Sequence, residues 1–274
     1  MIKSKYISLA MATVLASGLA ARADIRTTIQ GAASGTTVQC SGTYTVTARI
    51  QVPSGVTVKG PATFNFTTGS GADGFYVPSG NSGVTLQSLT VKGANHGIMI
   101  YGSSCKITSC TATANYNSGI EIIGSSAKNN TISGCKSYNN ADSSGGNADG
   151  FAAKNSTGSG NKFSSCTGYS NSDDGYDFYS AASPISVSSC QAYSNGSANG
   201  KTGNGVGFKM GGSGYSASHS YTSCVAHNET GSTGSGFDSN NNGAKLYLTS
   251  CHSYSNKNKD RLVNCSLSNC TMQQ

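Results

Sequence analysis

The sequence predicts an all-β protein in which short parallel strands stack into a solenoid, a parallel β-helix. Three observations lead to this prediction. A phrase made of an apolar residue, two small residues and cysteine recurs at residues 107–110, 132–135, 163–166, 187–190, 221–224 and 248–251. The copies follow one another at intervals of roughly 20 to 34 residues, a period typical of solenoids. The runs between them are short and β-prone, and Gly and Asn interrupt them.

The chain begins with a segment typical of a secretory signal peptide. Lys3 and Lys5 precede an apolar run over about residues 6–19, and Ala21-Arg22-Ala23 has the form of a cleavage site before Asp24. The apolar run is too short to span a membrane as a helix. We therefore expect residues 1–23 to be a signal peptide and residues 24–274 to form one secreted domain without a membrane anchor.

The charge of the chain argues against nucleic acid as a partner. Eighteen basic and eleven acidic residues give a formal net charge of +7. Three of the basic residues lie in the predicted signal peptide, and the remaining excess is small and scattered. The many glycines could indicate disorder, but the apolar positions keep a regular register that a disordered chain would not need. We expect a folded, monomeric protein that binds no nucleic acid.

The ten cysteines of the chain first suggest a disulfide framework, since the protein is predicted to be exported. Six of them occupy the same repeat position, where stacked strands about 4.8 Å apart would point them in one direction. Parallel Cβ vectors suit a disulfide poorly, so we predict an interior stack of free thiols. Disulfides and a metal-binding thiolate ladder are the alternatives. Pairing stays open for Cys40, Cys105, Cys265 and Cys270.

Two further columns follow each repeat cysteine. The position five residues later holds Asn115, Asn140, Asn171, Asn195, Glu229 and Asn256. The position three residues later holds Thr113, Tyr138, Tyr169, Tyr193, His227 and Tyr254. An Asn at a bend tolerates a left-handed backbone, and its amide can form hydrogen bonds from one coil to the next. We interpret both columns as structural.

A second strand in each coil begins with Gly and a large apolar residue, as in Gly97-Ile98, Gly119-Ile120, Gly150-Phe151, Gly175-Tyr176, Gly207-Phe208 and Gly236-Phe237. The apolar residue should point inward and its neighbours outward. Alignment on this Gly stacks the position two residues later as Met99, Glu121, Ala152, Asp177, Lys209 and Asp238. The position before it stacks as His96, Ser118, Asp149, Asp174, Val206 and Ser235.

This alignment gathers Asp149, Asp173, Asp174 and Asp177 on two adjacent coils and places Lys209 one rung from Asp177. Carboxylates packed this closely repel each other, so they either stay partly protonated or bind a cation. Ca²⁺ accepts several oxygen ligands in loose geometry. We predict a Ca²⁺ site formed by these four Asp residues. The alternative is a solvated acidic patch with Lys209 as an ion-pair partner.

Residues 147–154, 171–177 and 207–212, which read Asn-Ala-Asp-Gly-Phe-Ala-Ala-Lys, Asn-Ser-Asp-Asp-Gly-Tyr-Asp and Gly-Phe-Lys-Met-Gly-Gly, resemble the family nine polysaccharide lyases. These are calcium-dependent pectate lyases with a right-handed parallel β-helix. Tyr176 and Met210 stand where that family is expected to have Trp and Leu, and both remain apolar. The resemblance implies Lys209 as the catalytic base and, as Ca²⁺ ligands, Asp149, Asp173, Asp174 and Asp177.

The resemblance further implies cleavage of an acidic polysaccharide, polygalacturonate or pectin, by β-elimination to 4,5-unsaturated oligogalacturonates. Alternatives are a lyase, epimerase or hydrolase acting on another polyuronate, and a non-catalytic β-helix surface protein. The Gly-His-Gly and Arg-Ile-Lys signatures of polygalacturonases are missing. The four histidines share no motif, and we interpret them as structural or exposed. Candidate ligands for substrate carboxylates, or else solvated surface residues, are Lys154, Lys162, Lys201 and Lys245.

Overall fold

The computed structural model of the protein describes residues 13–15, 24–212 and 214–274. The chain winds into a parallel β-helix, which confirms the predicted all-β solenoid. Of the predicted signal peptide, only Thr13–Leu15 lies within the described residues, as a strand that pairs in parallel with Thr37–Gln39. The signal peptide therefore stays a prediction. In the described part of the chain, no helix is long and apolar enough to cross a membrane.

The coils contribute strands to three parallel sheets. Sheet 1 contains the strands that precede the repeat cysteines, and sheet 2 contains the strands that follow them. Two long strands, Thr57–Phe66 and Thr85–Lys92, run through both sheets and join them into one sheet of eighteen strands. The other strands of sheet 1 are Thr13–Leu15, Thr37–Gln39, Lys106–Thr108, Thr131–Ser133, Lys162–Ser164, Ser186–Ser188, Ser220–Thr222, Leu246–Thr249 and Cys265–Ser268.

The other strands of sheet 2 are Gly42–Val46, Thr111–Thr113, Lys136–Tyr138, Thr167–Tyr169, Gln191–Tyr193, Val225–His227 and His252–Tyr254. Sheet 3 is separate and has eight strands, which are Ile50–Gln51, Phe75–Val77, Ile98–Ile100, Ile120–Ile123, Phe151–Lys154, Tyr176–Asp177, Phe208–Lys209 and Phe237–Asp238. A short antiparallel hairpin, Ser197–Ala198 with Lys201–Thr202, projects from one coil. A 3₁₀ turn covers Gly69–Gly71.

The α-helix Ile25–Gln30 packs against the first strand of sheet 3. Asp24 caps its first turn, because the Asp24 side chain accepts a hydrogen bond from the Arg26 amide. Ile25 and Ile29, four residues apart on one face, are buried. The helix therefore extends the apolar core beyond the first strand of sheet 3.

The core is a continuous column of stacked side chains inside the solenoid. The apolar residue after each Gly of sheet 3 is fully buried, as predicted. The ring of Tyr176 stacks on those of Phe151 and Phe208, with centroids 4.9 and 4.6 Å apart, and Phe208 stacks on Phe237 at 4.8 Å. Because each ring covers the next, no coil could bury this face on its own.

The repeat cysteines lie at the corner between sheets 1 and 2 rather than within a strand, and all six are buried. The residue before each one has a left-handed backbone, for example Ser109 with φ of +53° and Gly134 with φ of +61°. This residue turns the chain, so that the thiol points inward. All ten cysteines are free, which confirms the predicted thiol stack and leaves unpaired the four whose pairing was open.

The Asn column forms the predicted ladder of amide hydrogen bonds. Asn115 Nδ2 donates to Asn140 Oδ1 at 3.0 Å, Asn140 to Asn171 at 2.9 Å, and Asn171 to Asn195 at 3.0 Å. The expectation that these Asn residues adopt the left-handed conformation is wrong. That conformation belongs to the residue before each of them, which can be Ala, Asn or Ser: Ala114, Asn139, Ser170, Ser194, Asn228 and Ser255.

The column three residues after the cysteine forms a stack of rings on the outer face of sheet 2. Ring centroids lie 4.7 Å apart between Tyr138 and Tyr169, and 4.8 Å apart between Tyr169 and Tyr193. His227 continues the stack to Tyr254, with centroids 5.1 Å apart on both sides. Since each face is covered by the next ring, the column supports the structural interpretation.

Candidate active site

The register of sheet 3 places the predicted site residues side by side. Asp177 pairs with Ala152 on one side and with Lys209 on the other, and Lys209 pairs with Asp238. Glu121 pairs with Ala152 one rung earlier. The row predicted from the Gly alignment is therefore correct, and its members are separated by the strand spacing of about 4.8 Å.

One row holds Asp149 and Asp174, and the other holds Asp177. The position between these rows requires glycine, because neighbouring backbones approach closely there. A Cβ at Gly150 would lie 2.7 Å from the carbonyl oxygen of Gly175, and a Cβ at Gly175 would lie 2.7 Å from that of Gly207. The Gly150 amide donates to the Asp174 carbonyl at 2.9 Å. This close contact aligns Asp149, just before Gly150, with Asp174, just before Gly175.

Three of the predicted ligands form a compact carboxylate group. Asp149, Asp173 and Asp174 are buried, and one carboxylate oxygen of each lies within 4.8 Å of the others. Such a group of hard oxygen donors could hold a metal ion and suits Ca²⁺. Asp177 lies outside this group, although it is also buried and contacts the same lysines. The structure thus brings all four predicted acids to one place.

Backbone amides orient each of these carboxylates. One oxygen of each Asp accepts a hydrogen bond from the main chain, which fixes the carboxylate before any ligand binds. Asp149 accepts from the Asp174 amide at 3.2 Å, and Asp173 accepts from the Asn204 amide at 2.7 Å. Asp174 accepts from the Val206 amide at 2.7 Å, and Asp177 accepts from the Tyr179 amide at 2.9 Å.

Two lysines cover the acidic group. Lys209 Nζ lies 3.0 Å from Asp174 Oδ2 and 3.4 Å from Asp177 Oδ2. Lys154 Nζ lies 2.6 Å from Asp149 Oδ2 and 2.9 Å from Asp177 Oδ2. Asp177 is therefore shared between both lysines, and the site alternates negative and positive charges across three coils.

Burial and ion pairing act on these groups in opposite directions. Burial raises the pKa of Asp149 to about 8 even though Lys154 opposes the shift, and burial also raises the pKa of Asp174 well above its ordinary value. Burial would raise the pKa of Asp177 as well, but attraction to Lys154 and Lys209 outweighs it and lowers that pKa. Negative charge is therefore concentrated on Asp177, between the two ammonium groups.

Lys209 is held in its charged form in this arrangement. Burial lowers the pKa of Lys209, but attraction to Asp174 and Asp177 outweighs it and raises the pKa above the ordinary value for lysine. A protonated lysine cannot accept a proton. The carboxylates around Lys209 thus decide whether its nitrogen is available as a base.

Of the four lysines considered for substrate binding, only Lys154 joins the acidic group. Lys162 is exposed on sheet 1, and Lys245 is exposed with Nζ 5.7 Å from the centroid of the Tyr247 ring. Lys201 lies on the short hairpin and lines a cleft of about 810 Å³ together with Tyr116 and Asn147. That cleft adjoins the chain segment that leads into Asp149.

A second charged group on sheet 3 escaped the sequence interpretation. His96 Nδ1 lies 2.7 Å from Asp73 Oδ1, and His96 Nε2 lies 3.4 Å from Glu121 Oε2. His96 is thus held between two carboxylates, whereas it was expected to be structural or exposed. Asp73 precedes Gly74-Phe75, an earlier copy of the pattern used for the alignment. Extending the alignment by one coil would have found it.

Comparison with known proteins identifies the relatives of the chain. The family described as "Pel9A-like, right handed beta helix region" matches residues 12–269. Pectate lyase L of Dickeya chrysanthemi is 37% identical over 116 residues, which make up 41% of this chain and 27% of that protein. Pectate lyase L of Thermoclostridium stercorarium is 43% identical over 111 residues, 38% of this chain and 9% of that protein. The matched segments thus cover about a quarter or less of these relatives.

A solved structure shows the same architecture over most of the chain. The crystal structure of pectate lyase Pel9A superimposes with a TM-score of 0.77 and 26% sequence identity. The match covers 89% of this chain and 72% of the Pel9A chain.

Proposed function

Since the chain belongs to the Pel9A-like right-handed β-helix family, we propose that it is a secreted pectate lyase that cleaves polygalacturonate by Ca²⁺-assisted β-elimination. One observation carries this proposal. Four buried carboxylates and Lys209 converge on three adjacent coils, in or just before their sheet 3 strands. The relatives named pectate lyase support the substrate class.

The donor set fits Ca²⁺. Asp149, Asp173 and Asp174 offer oxygens within 4.8 Å of one another, and Asp177 would be the fourth ligand. All the donors are carboxylate oxygens, which Ca²⁺ prefers, and neither thiol nor imidazole takes part. When bound, Ca²⁺ would neutralise the substrate carboxylate next to C5 and so make the C5 hydrogen more acidic.

In this proposal Lys209 removes the C5 proton. The electron pair of the C5–H bond forms the C4–C5 double bond, the bond from C4 to the glycosidic oxygen breaks, and that oxygen takes up one proton as it leaves with the shortened chain, which balances the proton removed from C5. No water is consumed. Lys209 must be neutral to act, and Asp174 and Asp177 oppose this as long as their charge is unbalanced. Neutralising these carboxylates therefore favours the neutral lysine.

The test is turnover of polygalacturonate with Ca²⁺ and with a chelator. A lyase produces ultraviolet absorbance from the unsaturated product, and the chelator should abolish it. A hydrolase would release reducing ends without that absorbance, and a non-catalytic surface protein would give neither signal. Turnover of alginate in place of polygalacturonate would instead indicate a lyase for another polyuronate.

Substitution of Lys209 tests its role as the base. We expect Lys209→Ala to lower kcat by at least about 10² when calcium is saturating. Lys209→Arg keeps the positive charge but should be nearly as inactive, because arginine stays protonated and cannot accept the C5 proton. Lys162→Ala, which removes an exposed lysine from sheet 1, should retain full activity. Substantial turnover by Lys209→Arg would exclude this residue as the base.

A further inference from the structure

Lys154 makes the shortest ion pair of the acidic group. It ends the strand Phe151–Lys154, five residues after Asp149, and its side chain is 15% exposed. Its Nζ donates to Asp149 Oδ2 at 2.6 Å and lies 2.9 Å from Asp177 Oδ2. The other oxygen of each of these carboxylates already accepts a backbone hydrogen bond. Lys154 therefore pairs with the oxygen of Asp149 and the oxygen of Asp177 that accept no backbone hydrogen bond.

The formal charges of the group leave room for one divalent cation. When all six groups are ionised, the four carboxylates and two ammonium groups carry a formal charge of −2, whereas without a cation burial raises the pKa of Asp149 and Asp174 and so reduces that charge. In a buried site such an excess is costly, and a single divalent cation balances it. The ammonium group of Lys154 and a cation cannot share Asp149 Oδ2 without strong repulsion, because both are positive and the site is shielded from water.

We infer that Lys154 is an internal counter-ion that competes with the divalent cation for Asp149 and Asp177 and thereby limits the affinity of the site for calcium. This inference rests on the proposed function of the site. At low calcium, Lys154 stabilises the two coils that carry the acids. At high calcium, the carboxylates of Asp149 and Asp177 would hold the cation, and the ammonium group of Lys154 would be displaced.

Lys154→Met tests the inference, because Met keeps an apolar stem and removes the charge. Calorimetric titration with Ca²⁺ should show at least about tenfold tighter binding than in the parent protein, since no ammonium group repels the cation. With chelator, the melting temperature of Lys154→Met should fall below that of the parent. Saturating calcium should restore it, because the cation then balances the carboxylates.

Three further variants sharpen the test. Lys154→Arg keeps the charge and should bind calcium about as weakly as the parent does. Lys162→Met removes an exposed lysine from sheet 1 and should leave calcium affinity unchanged. Lys154→Gln, which is neutral but keeps a hydrogen-bond donor, should bind more tightly than the parent and gives the answer if the Met variant does not fold.

Two outcomes would count against the inference and are distinguishable. If the parent binds calcium and the folded Lys154→Met or Lys154→Gln variant binds it equally or more weakly, Lys154 is not a competitor, while the proposed calcium site survives. If none of the proteins binds calcium, the calcium site of the proposed function is overturned, and the competition with it.

Discussion

His219 shows how burial alone changes the protonation of a side chain. Its ring is fully buried, and its Nδ1 accepts a hydrogen bond from the Ile185 amide at 3.1 Å. Nε2 has no hydrogen-bond partner, and the ring lies 5.5 Å from that of Phe178. Burial lowers the pKa of His219 to about 4, from an ordinary value of 6.5. The folded protein therefore keeps this imidazole neutral where the unfolded chain would protonate it.

This difference predicts a loss of stability in acid. Above pH 6.5 His219 is neutral in both the folded and the unfolded protein, and it does not change the free energy of unfolding. Between pH 6.5 and about 4 only the unfolded chain takes up the proton, so the free energy of unfolding falls by about 3 kcal/mol. His219→Asn should remove this pH-dependent fall in the free energy of unfolding, even if the smaller side chain leaves a cavity that lowers stability at every pH. Urea unfolding at pH 7, 5.5 and 4 measures it.

The result for His219→Asn needs a control variant in which an exposed histidine is removed instead. His252→Asn provides it, because His252 is exposed. If His219→Asn loses as much stability as the parent between pH 7 and pH 4, the buried imidazole does not cause the acid sensitivity.

The Asn ladder is an element that depends on side-chain hydrogen bonds between coils, and Glu229 interrupts it. Glu229 accepts hydrogen bonds from the Asn195 amide at 2.7 Å and from Asn195 Nδ2 at 3.3 Å. Its carboxyl group is buried where every other member of the ladder carries a neutral amide. Burial raises the pKa of Glu229 well above its ordinary value, although the bonds from Asn195 oppose the shift. An ionised Glu229 is therefore unfavourable in the ladder.

Glu229→Gln should become more stable than the parent as the pH rises. A raised carboxyl pKa in the folded state contributes stability that is complete below the unfolded pKa and is lost as the pH rises through the folded pKa. Gln does not titrate and can donate a hydrogen bond as the Asn residues do. Melting temperatures measured from pH 5 to pH 9 should show a widening gap in favour of Glu229→Gln.

Asn140→Asp makes the opposite change three rungs away, since it places a carboxyl group where Asn140 Nδ2 donates to Asn171 and Ser137. This variant should lose stability relative to the parent as the pH rises. A gap between Glu229→Gln and the parent that does not change with pH would mean that Glu229 keeps the same charge throughout the range.

At the scale of the whole molecule, stability comes from stacking, because no coil buries its apolar face alone. The thiol stack runs along the solenoid through the corner between sheets 1 and 2, and eight of the ten cysteines are buried. Burial raises the pKa of the Cys40 thiol to about 12, which suppresses the reactive thiolate. The cysteines act as small apolar residues that fill the corner of each coil.

Thiol titration of the protein without reducing agent tests this arrangement. After unfolding, we expect all ten cysteines to react. Before unfolding, only Cys265 and Cys270, which are partly exposed, should react promptly. A reduced sample treated in the same way sets the maximum count. A count near zero in the unfolded, unreduced protein would show that the cysteines are paired in disulfides.

The sequence by itself determined the solenoid and the register of its rows. The repeat of an apolar residue three positions before cysteine identifies the coil, and the Gly before a large apolar residue identifies sheet 3. Since strands that stack in parallel bring equivalent positions together, this alignment was sufficient to place Asp177 beside Lys209. Local spacing carries this information because each coil repeats the same backbone path.

Only the tertiary structure decided where side chains meet outside a single row. Lys154 reaches Asp149 and Asp177 across rows, and His96 joins Asp73 to Glu121 across three coils. The left-handed residues precede the Asn and Cys columns. A repeat specifies which backbones are adjacent, but a long side chain can turn towards any charge within its reach. Its contacts depend on the burial and charges of several coils together, and no single repeat contains that information.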